Sequence, residues 1–148
     1  MKDIFLIFSA FVQLAGLTLY AEDLNVKVDT FPTKEMHAQN KTIATLVAKE
    51  ISQTLPQVVD KYTTLVEIHA NDLILVYTFE INSDAKSDDA IKKEDKSRMK
   101  KAIFSGVCQS SSKFLAIGIN TSYVYINAKT KAPLFQFDIT QEDCTQFL

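Results

Sequence analysis

Two cysteines, two histidines and a scatter of serines are the side chains with which this 148-residue chain could perform covalent or metal chemistry. Cys108 lies in FSGVCQSSSKF and Cys144 in QEDCTQFL, close to the C-terminus. They form no Cys-x-x-Cys pair of the kind that exchanges thiols and disulfides. With His37 and His69 they also lack the closely spaced ligand pairs of a zinc site. A disulfide is the simplest remaining role, and closing a loop of this length stabilises a fold by about 3–4 kcal/mol in the chain-entropy model. Ser105 and Ser110 to Ser112 could supply a nucleophile, but a serine hydrolase also needs a base and an orienting carboxylate. No Gly-x-Ser-x-Gly elbow is present. His69 alternates with Glu67, so an exposed acid–base pair on a strand is conceivable, with a plain polar sheet face as the alternative. There is no Gly-rich phosphate loop and no calcium-binding run. No catalytic residue is assigned, and no cofactor or metal is expected.

Tyr123 and Tyr125 flank Val124 in a strand-like run. Tyrosines bury area while offering a hydroxyl. Together with Glu67 and His69 they are the candidates for a binding surface; the alternative is that both rings pack beneath helices with their hydroxyls at the rim.

The compartment decides what the thiols meet. Residues 1–21, MKDIFLIFSAFVQLAGLTLYA, have a basic Lys2 followed by an apolar run from Ile4 to Tyr20. This is a secretory signal pattern, with cleavage expected between Ala21 and Glu22. The run is short for the roughly 20 apolar residues that span a bilayer and has polar interruptions, so no stable membrane insertion is expected after cleavage; the alternative is a segment retained as an uncleaved anchor helix. Leu17 stands where a lipoprotein box would need cysteine. The mature chain, 22–148, is then a single domain in an oxidising compartment, periplasmic or secreted, where paired thiols become disulfides. A net charge of −2 argues against a nucleic-acid partner.

The elements that must position these residues follow from periodicity. Residues 34–55 place Met36, Ile43, Leu46, Val47, Ile51 and Leu55 at three- and four-residue spacings, an amphipathic helix closed by Pro56. A hairpin turning at Asn71-Asp72 follows, with Leu73, Leu75, Tyr77, Phe79 and Ile81 on its core face. Ser87 or Asp88 caps a second helix from about Ala90 to Ser110. Its Lys92, Lys93, Lys96, Arg98, Lys100 and Lys101 spread around the helix and read as a solvated face. One further helical turn closes at Gly118. A second hairpin spans Ile119 to Ala128 and Leu134 to Ile139, and LNVKV near the new N-terminus adds a short edge strand. The order helix, hairpin, helix, hairpin gives an α+β fold in which two αββ units form a four-stranded antiparallel sheet with both helices on one face and one disulfide.

The segment LPQVVDKYTTL (55–65), Tyr77, Val107-Cys108, Leu115, Gly118, the Tyr-Val-Tyr of 123–125 and Asp143-Cys144 resemble a family of small secreted bacterial proteins with no assigned activity. Relatives often carry Arg where this chain has Thr64 and Tyr where it has Phe79. The resemblance implies a bacterial periplasmic setting and paired cysteines. The expected function is a non-enzymatic binding protein with a protein partner in the cell envelope, such as an inhibitor or an immunity protein. The alternatives are a hydrolase using Glu67 and His69, or a structural subunit of an envelope assembly.

Overall fold

The computed structural model describes residues 33–83 and 86–146. The expected export segment, the expected Ala21–Glu22 junction and the expected LNVKV strand lie outside the described residues.

Helix α1 (Thr33–Ser52) leads into a two-residue strand, β1 (Gln57–Val58), followed by β2 (Thr63–Asn71) and β3 (Ile74–Ile81). Three helices come next, α2 (Asp88–Lys93), α3 (Ser97–Ser110) and α4 (Ser112–Ala116). The chain then returns through β4 (Asn120–Asn127) and β5 (Pro133–Ile139) to a short 3-10 helix at Glu142–Gln146. The five strands form one sheet in the order β1-β2-β3-β4-β5. All neighbours are antiparallel except β3 and β4, which are parallel.

The expected four-stranded antiparallel sheet of two αββ units with two helices is therefore corrected to a five-stranded mixed sheet with four helices. The cause is the connection. Helices α2 to α4 carry the chain from the end of β3 back to the end of the sheet where β3 began, so β4 must run alongside it in the same sense. The extra strand arises because Pro56 stops α1 and leaves Gln57 and Val58 extended, opposite Leu65 and Thr64.

Register sorts the inward side chains into rows. One row is Leu65, Phe79, Tyr125 and Phe135; the next is Ile68, Tyr77, Tyr123 and Phe137; the third is Ala70, Leu75, Thr121 and Ile139. Strict alternation along β2 would put Leu65 and Glu67 on one face. A bulge between Leu65 and Glu67 shifts the phase, so that Leu65 and Ile68 both point inward while Glu67 and His69 face solvent.

The helices cover this face in two halves. Helix α1 lies over β2 and β3, where Ala44 and Ala48 are buried with Ile68, Leu75 and Ile119. Alanines at this spacing let the helix approach the sheet closely. Leu46 was expected inward, yet it is about 200° around the helix from Ala44 and is 60% exposed. Met36 is also exposed. Helix α3 covers the β5 side through Phe104, Val107 and Cys108, which pack with Leu115, Ile139 and Cys144.

The single helix expected from Ala90 to Ser110 is broken. Ser87 caps α2 through its Oγ, which accepts from the Ala90 amide at 3.3 Å. At the break the Asp95 carboxylate accepts from the Ser97 backbone N–H (2.8 Å) and hydroxyl (3.0 Å), which starts α3 afresh. The Lys96 ammonium donates to the carbonyl oxygens of Ile91, Lys92 and Glu94 at 2.6, 3.1 and 3.1 Å. It thereby satisfies acceptors that a helix C-terminus leaves open.

Candidate functional site: an apolar cleft with a basic rim

Cys108 and Cys144 are joined, with their Cα atoms 5.3 Å apart. The bond ties the buried face of α3 to the 3-10 helix beyond β5 and leaves no free thiol among the described residues. Glu67 and His69 meet at 3.5 Å, each about half exposed or more, on the sheet face away from the helices. Among the described residues no cluster of three potential metal ligands exists.

Tyr123 and Tyr125 lie on the opposite face from Glu67 and His69, so the four candidate surface residues do not form one site. Tyr125 is buried and stacks between Phe79 (4.9 Å) and Phe135 (4.6 Å). Tyr123 meets Tyr77 edge-on at 5.0 Å and Phe79 at 5.1 Å. Burial disfavours the phenolates: it raises the pKa of Tyr77, pushes Tyr123 up to about 12 with added repulsion from Tyr77, and raises Tyr125 with contributions from Tyr123 and Asp60. Tyr125 is buried with Leu65 and Phe79, and the partly buried Tyr77 and Tyr123 pack against them.

The stacked row Phe79–Tyr125–Phe135 runs towards a cleft of about 700 Å³ at one end of the sheet. Its apolar lining comes from Tyr62, Ile81, Ile91, Met99 and Phe135, with Lys61, Lys86, Lys96 and Arg98 as basic groups and Glu94 and Asp95 as acidic ones. The volume falls within the usual range for ligand pockets. Each wall has a local cause. Asp60 Oδ1 accepts from the amides of Tyr62 and Thr63, both at 2.8 Å, a side-chain-closed turn that sets Lys61 and Tyr62 at its tip. Asn127 anchors the far side: its Nδ2 donates to Asp88 Oδ1 at 2.6 Å, and its Oδ1 accepts from the amides of Lys129 and Thr130. The break between α2 and α3 presents Lys96, whose ammonium lies 4.7 Å from the Phe135 ring centre.

Sequence reading missed the cleft because its lining comes from four separate stretches. The clearest clue was Tyr62 beside Lys61 in a turn. Sequence reading also did not single out Phe104, which is buried at 4% exposure.

No family model matches the chain, and no curated protein matches it in sequence. Three solved structures share its fold. A Pseudomonas aeruginosa protein provisionally described as secreted has a TM-score of 0.65 at 15% identity, covering 74% of this chain and 96% of that one. EpsS, a pilotin of the Vibrio vulnificus type 2 secretion system, has a TM-score of 0.63 at 17% identity, with 76% and 97% covered. AspS, a type II secretion system pilotin of Vibrio cholerae, has a TM-score of 0.59 at 18% identity, with 76% and 98% covered. At these identities the likeness is one of fold.

Proposed function

We propose that this chain is an exported, non-enzymatic interaction protein of the bacterial cell envelope that docks a segment of a partner protein, as an accessory to a secretion assembly. The cleft between the Lys61–Tyr62 turn and the α2–α3 break carries this reading. It is concave, has an aromatic and aliphatic floor, and stands on a framework stiffened by the Cys108–Cys144 bond. Two of the three fold relatives are named as pilotins of secretion systems, which favours a secretion assembly over other envelope machinery. The paired cysteines and the expected export segment fit the same compartment. Among the described residues no helix is long and apolar enough to cross a membrane. An inhibitor or immunity protein would use the same kind of rigid surface, without the link to secretion.

The test is a photo-crosslinking residue at position 62 in the native host, with a control at Val76 on the open sheet face. Adducts from position 62 to a component of a secretion assembly, together with loss of secretion in a deletion strain, are the expected results. Adducts from position 76 alone, or unaltered secretion after deletion, would defeat the reading.

A further inference from the structure

The charges around the cleft say more about the partner than its shape does. The chain as a whole is acidic, with a net charge of −2. The cleft nevertheless has four basic side chains, Lys61, Lys86, Lys96 and Arg98, against Glu94 and Asp95. Lys86 pairs with Glu94. Asp95 is held ionised by hydrogen bonds from the Ser97 backbone and hydroxyl, which lower its pKa. The bonds from Lys96 go to neutral carbonyls, which orient its charge without cancelling it.

Lys61 and Arg98 are different. Among the described residues neither Lys61 nor Arg98 has a carboxylate partner; the Lys61 ammonium lies 5.2 Å from the centre of the Tyr62 ring. The two come from different walls of the cleft, one from the turn before β2 and one from the first turn of α3, with the apolar floor between them. Asp60, next to Lys61 in sequence, keeps its charge while its Oδ1 accepts from the amides of Tyr62 and Thr63, but it is not among the residues that line the cleft.

Building on the docking reading above, we infer that the cleft selects an acidic segment of its partner: a peptide with apolar side chains that cover Tyr62, Met99 and Phe135, and with Asp or Glu on either side to meet Lys61 and Arg98. A free small molecule fits less well. Such ligands need most of their surface enclosed, whereas Lys61, Tyr62 and Arg98 at the rim are exposed. A basic segment would meet like charge on both walls, and like-charge juxtaposition excludes wrong partners strongly.

The experiment selects random displayed peptides on the full mature, oxidised protein. It then measures the enriched peptides against three variants: Lys61→Glu/Arg98→Glu, Tyr62→Ala and Met99→Asp. Thermal melts confirm that the variants are folded; the first two lie at exposed positions, so they keep the test open if Met99→Asp fails to fold. Enriched peptides should combine aromatic or long aliphatic residues with Asp and Glu. Binding should weaken as ionic strength rises. Charge reversal should weaken it on the order of tenfold and favour Lys-substituted versions of the same peptides. Tyr62→Ala should weaken both kinds of peptide alike.

Enrichment without acidic bias, or indifference to charge reversal while Tyr62→Ala still weakens binding, overturns the acidic-partner inference and leaves apolar docking standing. Absence of any enriched peptide, or enriched peptides insensitive to Tyr62→Ala and Met99→Asp, overturns both.

Discussion

The side-chain amide of Asn40, on the inner face of α1, donates to the main-chain oxygen of Ile117 at 2.7 Å, across a sequence separation of 77. Asn40 is buried, and the bond joins the first helix to the exit of α4, where Gly118 takes a φ of 85° before β4 begins. Positive φ suits glycine because there is no Cβ to clash. Asn40→Ala should lower unfolding stability by about 1–3 kcal/mol, since a part-buried carbonyl loses its donor. Asn40→Asp should cost at least as much at neutral pH by placing a carboxylate against that oxygen. Urea melts of the two variants check the order.

The Cys108–Cys144 bond closes a loop with a sequence separation of 36, for which the loop-closure model gives about 3–4 kcal/mol. Replacing both residues by serine should lower stability by about that amount, with both ends of the bond buried in the α3 core. Denaturation of the oxidised protein, the reduced protein and the double variant measures it. Coincident curves would show that the bond adds nothing.

Alkaline pH should unfold this domain through its tyrosines. Tyr77, Tyr123 and Tyr125 have folded pKa values raised above the ordinary 10.0, that of Tyr123 to about 12. A group with a raised folded pKa contributes its full stability below the unfolded pKa and loses it as pH rises through the folded one. Stability should therefore fall from about pH 10 upward. Thermal melts followed with tyrosinate absorbance test this, and Tyr123→Phe with Tyr125→Phe should flatten the fall.

Asn127 links the β4–β5 turn to the start of α2, with Nδ2 on Asp88 and Oδ1 on two turn amides. Asn127→Ala should cost about 2 kcal/mol. It should also speed hydrogen exchange in residues 86–93 on the cleft wall more than in α1. Uniform acceleration across the domain would show no local anchoring.

Glu67 and His69 touch only at the surface, and pairs of this kind contribute about 0–1 kcal/mol. His69→Ala should leave stability within about 0.5 kcal/mol of the parent. A larger loss by thermal melt would reveal a structural role that their exposure does not suggest.

The sequence by itself determined most of the local elements, because their causes are local, although the break that Asp95 and Lys96 make between α2 and α3 escaped it. Apolar spacing marked α1, Pro56 ended it, Asn71-Asp72 made the first hairpin, Ser87 capped α2 and Gly118 closed α4. Alternation in β5 separated Phe135, Phe137 and Ile139 from Gln136 and Asp138. Only the tertiary structure decided what depends on distant partners. The crossover made β3 and β4 parallel, and a bulge opposite β3 set the phase of β2. Close approach to the sheet turned α1 onto Ala44 and Ala48 rather than Leu46. The cleft belongs to this second class: Lys61, Ser83, Arg98 and Phe135 become neighbours only when sheet and helices are assembled, and no periodicity within a single segment encodes that meeting.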